Sequence, residues 1–255
     1  MTHRILILGG TTEARQLAGK LAARTDISIT LSLAGRTENP VAQGVPVRVG
    51  GFGGVDGLAA YLSETRIDLL IDATHPYAAQ ISANAAEAAR RSGVPIMALR
   101  RPGWERVEGD RWVLVDTVVD AVKALGPMPR RVLLALGRQE VAAFEAAPQH
   151  HYVIRSVDPV EPELAVPNAA YLQARGPFPE ADEQALLQEH HIDVVVSKNS
   201  GGEATYGKIA AARALGLEVV MIRRPALPDV ASADTVEVLA AMVDHVLEPA
   251  AERGV

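Results

Sequence analysis

The stretch Ile5-Leu6-Ile7-Leu8-Gly9-Gly10-Thr11-Thr12-Glu13-Ala14 decides the fold. Four consecutive apolar residues, two of them β-branched, read as a buried strand. Two glycines and two threonines then read as a tight turn. Beyond it Ala14, Leu17, Ala18, Leu21 and Ala22 recur at i, i+3, i+4, i+7 and i+8, one face of a helix. A strand that runs through glycines into a helix N-terminus suits a phosphate. Glycine lets the backbone come close, and free N–H groups at the helix start point at the anion. The usual dinucleotide pattern, G-x-G-x-x-G/A, is met only in part, because Thr11 stands where its second glycine would be. From these residues alone the turn is either a diphosphate site or an ordinary strand-to-helix turn.

Working outward, Ile27 to Leu33 alternates apolar and polar residues and reads as a second parallel strand. It runs into Ala34-Gly35-Arg36-Thr37. In a dinucleotide fold this strand end meets the adenosine ribose, where an acid selects NAD and an arginine accommodates the 2′-phosphate of NADP. No acid occurs from Ile27 through Thr37, and Arg36 lies at the expected place, so the residues favour NADPH. Val47-Arg48-Val49 is a short strand before Gly50-Gly51-Phe52-Gly53-Gly54, with Asp56 as the cap of the helix that follows. That glycine loop reads either as a flap over a ligand or as a flexible connector.

Asp68 to Asp72 is another buried strand, and the polar loop Ala73-Thr74-His75-Pro76-Tyr77 leaves its end. A small-residue helix follows, then a strand from Val94 to Leu99 that ends in Arg100-Arg101-Pro102. Trp112 to Val115 reads as an added strand. Gly126-Pro127-Met128-Pro129 is the best linker in the chain.

After it the pattern starts again. Arg131 to Gly137 resembles Arg4 to Gly9 in character, and Ile192 to Ser197 matches Ile67 to Asp72. Arg223-Arg224-Pro225 repeats Arg100-Arg101-Pro102. Positions 4, 67 and 102 are thus answered by 131, 192 and 225 at a nearly constant offset. The expected fold is α/β: two similar Rossmann-like halves, residues 1–126 and 127–255, each a parallel sheet flanked by helices. The first would bind NADP and the second would complete a substrate cleft between them. The second half has its own polar strand end, Ser197-Lys198-Asn199-Ser200-Gly201-Gly202. It is rich in donors and reads as an anion site or as a polar turn.

Composition agrees. The chain has 255 residues, 48% of them hydrophobic but only 4% aromatic, which suits aliphatic parallel strands buried between helices. With no cysteine, thiolate nucleophiles, disulfides and cysteine-held metals are excluded, and a cytoplasmic protein is expected. No apolar run approaches the roughly 18 residues of a membrane span, so no membrane partner is expected. The net charge of −6 argues against nucleic acid. The adjacent pairs His150-His151 and His190-His191 lack metal-ligand spacing, so no metal site is expected. Neither a G-x-S-x-G elbow nor a Walker sequence occurs.

Hydride transfer needs no such nucleophile, because the cofactor carries the chemistry and the protein aligns the reactants. Reduction of a C=C or C=N bond still needs a proton, for which His75, Tyr77, Lys198 and Tyr206 are the candidates. Arginines at strand ends (Arg100, Arg101, Arg138, Arg155, Arg223 and Arg224) suit a polycarboxylate ligand, or are solvated strand exits.

Three motifs together resemble the precorrin-6A reductase family of cobalamin biosynthesis. They are Ile-Leu-Ile-Leu-Gly-Gly-Thr-Thr-Glu-Ala-Arg at 5–15, Ile-Asp-Ala-Thr-His-Pro-Tyr-Ala at 71–78 and Ser-Lys-Asn-Ser-Gly-Gly at 197–202, in the family's order. The resemblance implies NADPH-dependent reduction of a macrocycle double bond in a tetrapyrrole carrying many carboxylates. It implies that Gly9, Gly10, Thr11 and Thr12, with Thr74, hold the cofactor, Arg36 taking the 2′-phosphate. It puts His75, Tyr77 and Lys198 at the chemistry. Lys198, Asn199, Ser200, Gly201 and Gly202, with Arg138 and Arg155, would hold the substrate. The family also contains reductases of cobalt-precorrin-6A, towards which Arg36 leans less. Outside the family, a non-catalytic NADP sensor would explain Gly9 to Thr12 but not the second polar loop. A methyltransferase would want an acid in place of Arg36.

Overall fold

A computed structural model describes residues 2–35 and 42–247. The chain divides into two compact units, one of residues up to Arg101 together with those from Ala226 on, the other Pro102–Pro225.

The first unit holds a six-stranded parallel sheet in the order β12-β5-β4-β1-β2-β3. Its strands are β1 (His3–Leu8), β2 (Ile27–Leu33), β3 (Val47–Val49), β4 (Leu69–Asp72), β5 (Ile96–Leu99) and β12 (Ser232–Ala233). The apolar run of β1 is divided between two faces, as the period-two geometry of a strand demands. Ile5 and Ile7 pack with Leu17 and Leu21 of α1 (Thr12–Ala22) and with Leu239 and Val243 of α7 (Val236–Leu247). Leu6 and Leu8 face the other way, onto Leu58 and Leu62 of α2 (Gly54–Glu64) and Ala85, Ala88 and Ala89 of α3 (Ala79–Ser92). Both faces are covered, which is why the strand is apolar without alternation.

The second unit repeats this plan strand for strand. Its order is β6-β11-β10-β7-β8-β9. The strands are β6 (Arg111–Val115), β7 (Arg131–Ala135), β8 (His151–Ser156), β9 (Ala169–Gln173), β10 (Val194–Lys198) and β11 (Glu218–Ile222). Leu133, Val195, Val219 and Met221 pack on Leu187 of α5 (Glu180–Glu189) and on Ile209, Ala211 and Ala212 of α6 (Gly207–Ala214). The repeat departs after β7. Where α1 follows β1, only a 3-10 turn, Val141–Ala146, follows β7. A long helix N-terminus for a diphosphate is therefore present after β1 and missing after β7.

The division differs from the boundary expected at Gly126. After β5 the chain passes through Arg100-Arg101-Pro102 and pairs β6 with β11; after β11 it passes through Arg223-Arg224-Pro225 and pairs β12 with β5. Each half of the sequence thus contributes a strand and a helix to the other half's unit, with α4 (Val118–Ala124) lying against β6 and β11. Proline and glycine at 126–129 mark a surface turn inside the second unit, because local turn chemistry carries no information about which sheet a neighbouring strand joins. No helix among the described residues is long and apolar enough to cross a membrane.

Candidate functional site

In both sheets the chain runs from the first central strand to one side and returns on the other, so β1/β4 and β7/β10 are switch points. Ligands of open parallel sheets bind outside the carboxyl ends of strands at such points. The two polar loops singled out in the sequence leave β4 and β10.

In the first unit, Gly9 and Gly10 are required for different reasons. A Cβ at Gly9 would lie 2.7 Å from Leu31 Cδ1, and Gly10 has φ +113° with open space where a side chain would stand. Thr11 is the N-cap of α1: its Oγ1 accepts from Ala14 N at 3.0 Å and donates to the carbonyl of Ala73 at 3.0 Å. Its hydroxyl ties the glycine turn to the end of β4. The open backbone at Gly10, followed by an eleven-residue helix, fits a diphosphate. Glu13 in the first turn would repel one, but Arg101 Nη1 sits 2.8 and 2.7 Å from its two oxygens. Thr11, Glu13, Ala73, Thr74, Pro76 and Arg101 line a shallow pocket there.

Asp72 ends β4 as a buried carboxylate. Thr74 donates to it through N (3.1 Å) and Oγ1 (2.7 Å), and Arg100 Nη2 through a 2.6 Å bond. Burial alone would raise the Asp72 pKa; the Arg100 guanidinium and these hydrogen bonds outweigh it and hold the group below its usual range. Asp72 thereby fixes Thr74 against the turn. His75 Nδ1 accepts from Tyr77 N at 3.3 Å, and the two rings lie 5.7 Å apart. Gly9, Gly10, Thr11, Thr12, Thr74, His75 and Tyr77 therefore gather at the ends of neighbouring strands. Arg36 lies outside the described residues.

The glycine loop is latched. Arg48 donates to the carbonyls of Gly50 and Gly51, the latter at 2.9 Å, and its guanidinium lies 3.8 Å from the centre of the Phe52 ring. Gly53, in the left-handed region, is the N-cap of α2, and no side chain caps that helix. Asp56, expected as the cap, pairs with Arg91 instead, 2.7 Å away.

In the second unit, Lys198 ends β10 and its Nζ pairs with Glu140, which also accepts from Gly137 N at 3.3 Å. Arg138 lies between those two residues, so the β7 and β10 ends bring Arg138, Lys198 and Ser200 into one region. Asn199 differs from expectation. Its Oδ1 accepts from Trp104 N at 2.7 Å and its Nδ2 donates to Trp104 O at 2.8 Å, so its amide is committed to the chain. Tyr206 is likewise held, its hydroxyl accepting from Arg213 at 2.9 Å.

Arg155 does not join this group. It is buried in an ion pair with Glu183 (Nη2 to Oε2 2.9 Å) and stacks on Phe178, 3.9 Å from the ring centre. The other strand-end arginines also have internal partners: Arg100 with Asp72, Arg101 with Glu13, Arg223 with Asp116, and Arg224 with the carbonyls of Asn199 and Pro102. A lone arginine at a strand end reads the same whether it faces a ligand or a carboxylate distant in sequence. Glu140, Glu13 and Trp104 were missed for that reason. Only Trp104 carried a signal, as a tryptophan in a chain poor in aromatics.

The model of the family described as precorrin-6x reductase CbiJ/CobK matches residues 4–246. The chain is 58% identical over 247 residues to a precorrin-6A reductase of Sinorhizobium sp, covering 97% of this chain and 95% of the relative. It is 30% identical to a cobalt-precorrin-6A reductase of Salmonella typhimurium, with 87% of each covered. A solved structure titled CobK precorrin-6A reductase superposes with a TM-score of 0.90 at 48% identity, covering 96% of this chain and 97% of that one. The chain belongs to the precorrin-6x reductase CbiJ/CobK family.

Proposed function

We propose that this chain is an NADPH-dependent precorrin-6A reductase, adding a hydride and a proton across one macrocycle double bond to give precorrin-6B. The observation that carries the cofactor half of this reading is the open glycine turn on the N-terminus of α1 at the β1/β4 switch point. The substrate half rests on family membership and on the cationic, donor-rich ends of β7 and β10. Identity of 58% to a precorrin-6A reductase against 30% to a cobalt-precorrin-6A reductase favours the metal-free ring over the cobalt form.

When bound, NADPH supplies the hydride. The chain's own part is binding and orientation. Gly9 and Gly10 let the backbone approach the diphosphate, the Thr11 cap holds the turn, and Thr74 is held by Asp72 beside it. Arg36 takes the 2′-phosphate. Arg138, Lys198 and Ser200 take substrate carboxylates, with the loop backbone at Gly201 and Gly202. His75, Tyr77 and Lys198 are the side chains to deliver or orient the proton.

The test is anaerobic turnover of precorrin-6A, with NADPH consumption and a product heavier by two hydrogens as joint readouts. Binding of NADPH without turnover would replace the reductase by a sensor, and turnover only of cobalt-precorrin-6A would reverse the substrate. Arg36→Ala should weaken NADPH about tenfold or more, since a charge-assisted bond is lost, and leave NADH binding nearly unchanged; equal losses would remove Arg36 from the site.

A further inference from the structure

The loop after β10 contains two residues of positive φ, Gly201 at +66° and Gly202 at +80°, and on its own would sample many shapes. The segment Pro102–Trp104 braces it. Trp104 exchanges two hydrogen bonds with the Asn199 amide, in the manner of a strand pair made by a side chain. Its indole Nε1–H then donates to the carbonyl of Gly202 at 3.0 Å. Both ends of the four-residue run Asn199–Gly202 are thereby tied to one residue. The fit is close. A Cβ at Gly201 would stand 2.1 Å from Pro102 O, and one at Gly103 would stand 3.2 Å from Asn199 Oδ1. Arg224 bridges the two segments, from Asn199 O (2.7 Å) to Pro102 O (3.0 Å).

The indole is itself held. Lys208, 4% exposed, places Nζ 4.7 Å from the Trp104 ring centre and donates to the carbonyl of Thr205 at 2.6 Å. Arg155 and Glu183 are the charged groups that face it. The Tyr206 ring lies 5.8 Å from the indole. Lys208 thus joins the bracing indole to the Thr205 carbonyl just after the loop.

We propose that Trp104 is the positioning residue of the substrate loop Lys198–Gly202 and that Lys208 fixes its indole, an inference that rests on the reading of that loop as a substrate site. Asn199, in this arrangement, serves the loop's shape.

The test compares Trp104→Phe, Lys208→Met and Lys198→Ala with the parent in steady-state kinetics on precorrin-6A, NADPH binding by calorimetry, and thermal unfolding. Trp104→Phe keeps an aromatic side chain and the backbone bonds to Asn199, and removes the N–H that donates to Gly202. It should raise the substrate KM about fivefold, the usual worth of one such bond, with kcat within about twofold and NADPH affinity unchanged. Lys208→Met should raise KM in the same direction, about threefold, from the lost bond to the Thr205 carbonyl beneath the indole. A KM that rises in Lys198→Ala and not in Trp104→Phe or Lys208→Met would overturn the positioning role alone. NADPH affinity and unfolding temperature that fall along with KM would also overturn it, as general damage. Unchanged KM in all three variants would overturn the reading of the loop as a substrate site, and this inference with it.

Discussion

A chain that stops after Gly126, the boundary its sequence suggests, should fail to fold its first unit. Such a chain lacks β12 and α7. Helix α7 contributes Val236, Leu239 and Val243 to the core that includes Ile5 and Ile7 of β1, and Leu239 and Val243 are fully buried. At about 2 kcal/mol for each buried aliphatic side chain, the three contribute about 6 kcal/mol. A compact unfolded state trims that by roughly a quarter. The pairs Ala98 N to Ala231 O and Arg100 N to Ala233 O, 2.8 and 2.7 Å, are lost as well. The exposed Arg24–Asp244 ion pair adds little, at most about 1 kcal/mol. Whole domains are stable by about 5–15 kcal/mol, so the loss is of the same size as the stability itself. Residues Arg111–Val115 would meanwhile dangle without their partner β11. Urea titration followed by far-ultraviolet circular dichroism should show no cooperative transition, and calorimetry should show NADPH binding weakened at least about tenfold. Adding a peptide of residues 226–247 should restore both. A cooperative transition and full NADPH affinity for the 1–126 chain alone would refute the reasoning.

Other consequences follow from particular groups. Burial pushes the Lys208 amine down to about 7, so above that pH the unfolded chain binds more protons and stability should rise towards the ordinary lysine range. Urea unfolding across that window should show the rise in the parent and its loss in Lys208→Met; equal slopes would contradict it. Glu183→Gln leaves the Arg155 guanidinium buried without its counter-charge and should cost about 3–5 kcal/mol of stability, with kcat/KM of the folded enzyme intact. A substrate KM shift at unchanged stability would instead return Arg155 to the substrate. Lys198→Ala should raise the substrate KM or lower turnover with NADPH affinity unchanged, and an unaltered kinetic profile would remove Lys198 from the site.

The individual strands and helices were legible because period two and period 3.6 are local properties. Ile5 to Leu8, Asp68 to Asp72 and Ile192 to Ser197 announce themselves, and so does the Gly9-Gly10 turn into α1. The second-half helix after Gly202 was legible only approximately: Glu203–Thr205 is a 3-10 turn before α6 begins. The glycine loop at 50–54 read as a flap or a connector, and Arg48 ties its first residues through bonds that no composition reveals.

Sequence by itself determined the α/β class, the internal repeat, the place of both polar loops at strand ends, and the family. Those follow from patterns within ten or twenty residues and from their recurrence. Tertiary structure alone decided where the units divide, because pairing of β6 with β11 and of β12 with β5 joins segments about a hundred residues or more apart. It also decided which charged groups meet each other. Arg155 and Asn199 carry the right chemistry for a substrate, but Glu183 and Trp104 reach them first. The partner of a charged or polar side chain is set by distance in space, and the repeat, read along the chain, does not contain it.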